Sequence, residues 1–373
     1  TACVQRCMRM KAKLKSLIKL ICKFATAFFS RKSKMSVYTA RLLLEDYSPS
    51  PLGDCCTENK LDLQYDVQII IPVYNAERYI RECLESVLFV QDTQYSVLTT
   101  VINDGSTDRS LEIITDCVEN KKKIKKGIKV EVITQENRGF SGARNRGLKT
   151  IKGKYVLFLD SDDILPANAI ERMVSKASSE DADIVQGSWI SFRDDISNGK
   201  INNCEGVASG YPWGKAYKYT VLQNFRFPEG FWFEDTPISF MLMARSYHFT
   251  AVSDVIYLYR YNPSGITATA RKRKKVVDTF WITEECLREF TKFGLAYDQR
   301  AYEYLLRQSI MNERRIVFQP RQIREAIFIL TIELIHKYFD GFKTRDITMK
   351  QVEDALQKKQ FSKFELLVLG DWN

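Results

Sequence analysis

Along the chain, short apolar runs alternate with stretches of helical periodicity. "VQIIIPVY" (67–74) has the composition of a buried strand, and "AERYIRECLESVLFV" (76–90) follows with Ile80, Leu84, Val87 and Leu88 at helical spacing. "YSVLTTVIND" (95–104) predicts a second strand, after which Ser106 or Thr107 is placed to cap the helix "DRSLEIITDCVEN". "IKVEVITQE" (128–136) predicts a third strand, then a glycine-rich turn and a short helix around 143–149. "KYVLFLD" (154–160) predicts a fourth, ahead of the helix "ANAIERMVSKASS". Such alternation predicts an α/β unit built on a mostly parallel sheet flanked by helices.

Outside this stretch the pattern changes. Residues 37–65, with a Ser/Pro/Gly break at 48–53, read as a linker. Beyond about residue 270, "VVDTFWITEECLREFTKFG", "RAYEYLLRQSIMNERRIVF", "RQIREAIFILTIELIHKYF" and "MKQVEDALQKK" carry helical periodicity. The expected organisation is an arm over 1–36, a linker over 37–65, an α/β domain over 66–270 and a helical region over 271–373.

Charge sharpens the reading of the arm. Residues 1–36 hold ten Lys or Arg and no Asp or Glu, while the whole chain is +10, so the body is near neutral and no nucleic-acid partner is expected. Within the arm, "LIKLICKFATAFF" (17–29) is too short and too interrupted for a spanning helix. It fits a basic amphipathic helix on an anionic membrane surface, which would make the protein cytoplasmic and peripheral on the inner face of the membrane. The other reading is a solvated tail, or upstream sequence outside the mature protein, with Met35 as a candidate start. The nine cysteines are scattered without a CxxC pair, which suits a reducing compartment. With only His248 and His336 present, no histidine-based triad or multi-histidine metal site is expected.

Candidate chemistry gathers where the strands end. Asn75, Asp104, Asn137 and Asp160 each close an apolar run, and ligands of parallel α/β sheets collect at that edge. In "DSDD" (160–163) carboxylates this close raise each other's pKa unless a cation neutralises them. A hard divalent ion such as Mn²⁺ or Mg²⁺, its shell completed by phosphates, meets that need. Alternatively, Asp162 or Asp163 caps the next helix. P-loop and dinucleotide signatures are absent. "NRGFSGARNRG" (137–147) instead offers glycines for close backbone approach and Arg138, Arg144 and Arg146 for anionic oxygens.

"VQIIIPVYNAERYIRECLESV", "INDGSTDRS", "ENRGFSGARNRGL" and "YVLFLDSDDIL", in this order, resemble the family 2 glycosyltransferases, which have the GT-A nucleotide-sugar fold. The resemblance covers roughly residues 66–265. It implies that Pro72, Tyr74, Asn75 and Glu77 line the base and ribose, and that Asp104 pairs with the imide of a uracil. Asn103 stands where many relatives have a second acid. The resemblance places Arg144 near the diphosphate, Asp160 and Ser161 at the ribose side of the DXD motif, and Asp162 on the metal. It also matches "PWGKAYK" (212–218) and then "FPEGFWFEDTPIS" (227–239) to the acceptor-side segment, with Asp235 as catalytic base and Glu234 beside it. A carboxylate beside a second acid and among Phe231, Trp232 and Phe233 suits that role physically, because burial and the neighbouring charge raise its pKa and so its affinity for the acceptor's proton. A helix N-cap before Pro237 is the plainer alternative. "YLYRYNPSGIT" with the following "RKRKK" (271–275) resembles a segment whose cations close over the diphosphate.

The expected function is therefore metal-dependent inverting transfer of one sugar from a nucleotide-diphospho-sugar, UDP-sugar foremost. The expected acceptor is a hydroxyl of a glycan or lipid-linked acceptor in cell-envelope polysaccharide or oligosaccharide biosynthesis. Membrane spans and the Gln-x-x-Arg-Trp motif of processive relatives are missing from the sequence, which favours single addition. The rival readings are a metal-dependent nucleotidyltransferase and a non-catalytic glycosyltransferase-like scaffold at the membrane.

Overall fold

The structure, a computed structural model, describes residues 31–204, 209–245, 247–263, 265 and 272–370. Contacts divide the chain into two units. The first runs from Pro51 through the last strand of the sheet and includes Glu285–Leu295. Its strands are β1 (Lys60–Val73), β2 (Val97–Asp104), β3 (Ile128–Gln135), β4 (Thr150–Phe158), β5 (Ile184–Phe192), β6 (Lys200–Asn202), β7 (Lys215–Lys218) and β8 (Phe249–Arg260). They lie in the order β3-β2-β1-β4-β7-β5-β6, with β8 also on β5. β1 pairs in parallel with β2 and β4, and β2 with β3, as the alternating pattern predicts, and β5 pairs in parallel with β8. β7 enters antiparallel between β4 and β5.

Helices cover both faces of this sheet, so β2 is buried at every position. On one face Val67, Ile69 and Ile71 of β1 join Ile80, Leu84 and Val87 of α2 (Ile80–Leu88). Ile170, Met173 and Val174 of α5 (Ala169–Glu180) complete that core. α3 (Ser110–Glu119) contributes Ile114 and Cys117. On the other face α4 (Gly139–Leu148) approaches β1 so closely that a Cβ on Gly147 would lie 2.6 Å from Ile70 Cγ2. α6 (Tyr219–Leu222) and α7 (Thr236–Ala244) follow β7. Because β1 to β4 run in parallel, their C-terminal ends share one edge, where Asp104 pairs in register with Gln135. β7 is antiparallel to β4, so its first residue, Lys215, belongs to that same edge.

The other unit takes the described residues up to Ser50, from 272 to 284 and from 296 to 370, and it is helical as expected. Residues 37–65 are not the linker expected, since α1 (Val37–Tyr47) forms there and β1 starts at Lys60. Ser36 caps α1 by accepting the Thr39 N–H at 3.0 Å, Ala40 and Leu44 are buried, and Arg41 pairs with Glu284 at 2.6 Å. Of the arm, residues 1–30 lie outside the described residues. Ser33 is docked on this unit, with its N–H on the Lys359 carbonyl (2.8 Å) and its hydroxyl on Glu325 Oε1 (2.6 Å). α8 (Asp278–Arg288), α9 (Gln299–Ile316), α10 (Arg321–Tyr338) and α11 (Lys350–Gln357) fall where periodicity places them, and α12 (Phe361–Gly370) adds an element the pattern missed. Among the described residues, no helix is long and apolar enough to cross a membrane.

Candidate active site

The turns after β1 and β2 are laced together. Asn75, held at φ 47°, donates its N–H to Ser106 Oγ (3.1 Å) and accepts the Thr107 N–H at Oδ1 (2.8 Å). Asp108 accepts from the N–H groups of Glu77 (3.0 Å) and Ser110 (2.9 Å), and Glu77 accepts from Arg109 N–H (3.1 Å). Asp108, not Ser106 or Thr107, therefore meets the start of α3. The expected caps are occupied by the neighbouring turn. Pro72 is half-buried at the end of β1, and Tyr74 beside it is exposed.

Asp104 closes β2 and is 1% exposed. Its Oδ1 accepts from Gln135 Nε2 (2.7 Å) and Arg138 N–H (3.0 Å), while Oδ2 is buried with no partner among the described residues. A buried acceptor left open costs free energy unless a donor reaches it. Asn103 is also buried, and its Oδ1 accepts from Ser106 N–H (3.2 Å), so it shapes the turn.

At the end of β4 the acids separate by role. Asp160 Oδ1 accepts from Arg144 Nη2 at 2.7 Å. Ser161 sits in the turn between the acids. Asp162 Oδ2 accepts from Asn262 Nδ2 at 3.1 Å, and its carboxyl is pushed up by burial and by the charge of Asp160. Asp163 caps no helix. It is 1% exposed and accepts the Tyr257 hydroxyl (2.7 Å) and the Arg260 N–H (2.6 Å), fastening the turn to β8. Arg260 further donates Nε–H to the Asp162 carbonyl (2.9 Å) and pairs with Glu82. Arg260 is thus spent on the turn, and Tyr257 and Asn262 are site residues that sequence reasoning missed. Residue 271 of the basic run lies outside the described residues, and Lys275 pairs with Asp278 at 2.9 Å. Among the described residues no three His, Cys, Asp or Glu converge as a ready-made metal cage.

Arg144 joins this turn to the second constellation. Buried on α4, it places Nη2 on Asp160 (2.7 Å) and Nη1 on Glu234 Oε1 (2.6 Å), with its guanidinium over Phe227. Its Nε is buried without a partner among the described residues. Burial pushes the Glu234 carboxyl up to about 7, against the pull of Arg144 and with the push of Asp235. Phe233, at φ 62°, turns the chain sharply before this pair, and α7 begins at Thr236. Asp235 thus stands at the helix start, where its carbonyl accepts the Ser239 N–H at 3.2 Å. Glu229, another residue missed, accepts from Arg138 (2.7 Å) and Asn145 (3.2 Å), clamping the glycine-rich segment to this stretch.

An aromatic column stands beside both constellations. Tyr211 stacks on Trp213 with centroids 4.7 Å apart and planes 4° apart, and Trp213 stacks in turn on Tyr257 at 4.6 Å. Tyr257 also accepts the Asp160 N–H at 3.2 Å, so the column ends on the acidic turn. Lys215 is 1% exposed, and its ammonium donates to Ser209 Oγ (2.8 Å) and the carbonyls of Tyr211 (2.6 Å) and Trp213 (3.4 Å). Burial drops its pKa to about 7, with Cys204 and Asp235 the nearby groups opposing that fall.

Residues 68–244 match the family model described as glycosyl transferase family 2. The glycosyltransferase GlyA of Streptococcus pneumoniae is 30% identical over 225 residues, 54% of this chain and 31% of GlyA. The glycosyltransferase EpsJ of Bacillus subtilis is 28% identical over 223 residues, 54% of this chain and 62% of EpsJ. The chain thus spans less than two thirds of either relative. The crystal structure of S. aureus TarS 1–349 in complex with UDP-GlcNAc superposes with a TM-score of 0.63 at 18% identity, covering 82% of this chain and 90% of that one. That likeness establishes a shared fold. The strand-end motifs and the matched family model converge on one stretch, and residues 68–244 of this chain are a glycosyl transferase family 2 domain with the GT-A fold.

Proposed function

We propose that this domain transfers a single sugar from a nucleotide-diphospho-sugar, a UDP-sugar foremost, to a hydroxyl of a glycan or lipid-linked acceptor, with inversion. The observation that carries the reading is the Arg144 bridge. One guanidinium holds both Asp160 and Glu234, and this supports reading their sequence neighbours, Asp162 and Asp235, as parts of one site. The open Asp104 Oδ2 matches the imide N–H of a uracil, and the loops carrying Pro72, Tyr74, Asn75 and Glu77 flank that position. TarS, with UDP-GlcNAc bound, is consistent with a donor of this class.

The chain's own groups supply the chemistry as follows. Asp235 takes the proton of the acceptor hydroxyl, which attacks the anomeric carbon from the face opposite the departing diphosphate. An α-linked donor then gives a β-linked product. Arg144 keeps Asp160 toward the ribose with Ser161, and its remaining Nε–H is a donor for an anionic oxygen. Asp162, raised by burial beside Asp160, has the hard oxygen and surplus negative charge that fit Mn²⁺ or Mg²⁺. When bound, that ion neutralises charge developing on the diphosphate. We place the activity in cell-envelope polysaccharide or oligosaccharide synthesis, at the cytoplasmic side and peripheral to the membrane through residues 1–36.

The test is UDP release from a donor panel with Mn²⁺. Asp235→Asn is expected to abolish transfer while keeping UDP affinity, and Asp162→Ala to abolish transfer and the response to Mn²⁺. Full activity in either variant removes that role, and no turnover of any donor by the wild-type chain supports the scaffold reading instead.

A further inference from the structure

We propose that Tyr211 is the ring on which a pyranose of the acceptor stacks, and that Lys215 is the positioning residue that holds it there. The inference rests on Asp235 as the base. Core packing accounts for Trp213 and Tyr257, which are 7% and 1% exposed. It does not account for Tyr211, which is 44% exposed at the end of the same column. Trp213 lies parallel behind it and gives the ring a rigid backing. A flat, supported aromatic face complements the C–H face of a sugar, while the hydroxyls around the sugar's rim stay solvated.

Two observations assign this ring to the acceptor. Gly210, its neighbour, lies so close to Ser239 that a Cβ there would overlap the Ser239 side chain, and Ser239 is bonded to the Asp235 carbonyl. The turn 209–213 is therefore set against the helix start that carries the base. In the sheet, Asp104 ends β2 and the acidic turn ends β4, whereas this turn leads into β7, on the far side of β4 from β2. A ligand lying from Asp104 to the acidic turn leaves the Tyr211 side for the second substrate.

Lys215 fixes the turn by chemistry that few other residues supply. Its ammonium gathers three neutral oxygens of residues 209–213, and among the described residues it forms no ion pair. Gln186 assists by accepting the Ser209 N–H at 2.8 Å.

Saturation-transfer NMR on the full chain tests this, with UDP and Mn²⁺ present. Methyl β-D-glucopyranoside, methyl β-D-galactopyranoside and methyl N-acetyl-β-D-glucosaminide serve as probes, with calorimetric titration of UDP as control. At least one glycoside is expected to bind the wild-type chain. Tyr211→Ala should weaken it about tenfold, the effect of one lost stacked ring. Tyr211→Phe and Tyr211→Trp should retain it, and UDP affinity should not change. Lys215→Gln should weaken the glycoside as Tyr211→Ala does, with the double variant no weaker than either single one. Unchanged glycoside binding in Tyr211→Ala overturns the proposal, as does a parallel loss of UDP affinity or the absence of binding by any glycoside. A wild-type chain that fails to bind UDP counts against the donor reading, and the glycoside arm is scored separately.

Discussion

Arg144 neutralises two carboxylates with one planar fork, so lysine cannot replace it. An ammonium would satisfy Asp160 or Glu234 and leave the other buried and unpaired. Arg144→Lys is expected to lower kcat about 100-fold, in line with a few kcal/mol for a broken buried pair. Steady-state kinetics beside UDP titration separates that loss from weaker donor binding. Glu234 adds a pH signature. It is protonated below about 7 and ionised above it, where it tightens the Arg144 pair and places a negative charge beside the proton acceptor. Activity should rise through that pH in the wild-type chain, and Glu234→Gln should remove the step. Sequence made Asp104 and Asp160 legible as candidates because each closes an apolar run, and Asp162 and Asp235 through the family resemblance. Tyr257, Asn262, Glu229 and Lys215 stand in motif-like stretches, but their individual roles were not legible, since each depends on partners that only the fold brings near or on a loop that only the fold shapes. Asp163 shows the limit from the other side. Its neighbours suggested a cap, and only the long-range Tyr257 and Arg260 contacts reveal its fastening role.

At the level of elements, the parallel strands were readable because β2 is buried at every position and β1 and β4 end in buried, largely apolar runs. α1 was obscured by the Pro/Gly break that follows it. Its cap remains testable, and Ser36→Ala should destabilise the helical unit by about 1 kcal/mol in urea unfolding. A larger effect is expected from the joint of α9 with α10 and α12. There Glu313, 2% exposed at its side chain, accepts from Arg324 at 2.9 Å, and burial pushes its pKa up to about 7 against that pairing. A raised carboxyl binds its proton more tightly folded than unfolded. Its contribution is therefore full below the unfolded value of 4.5 and is lost as pH rises through about 7. Unfolding measured across this window should lose that slope in Glu313→Gln.

For the whole molecule, the donor and metal should act as stabilising ligands of the sheet unit. UDP with Mn²⁺ at about a hundred times Kd should add about 2.7 kcal/mol, seen as a rise in Tm that a chelator reverses. The same rise in Asp162→Ala would remove the metal from that residue. The aromatic column has a consequence for engineering. Because Tyr211, Trp213 and Tyr257 are stacked in series and Tyr257 is bonded to the acidic turn, the loop at 209–213 is not a free cassette. Grafting that loop from a relative would shift the column's far end against the donor side. Exchanges that carry residues 209–217 together with their β8 partners should yield active chimaeras where loop-only exchanges do not.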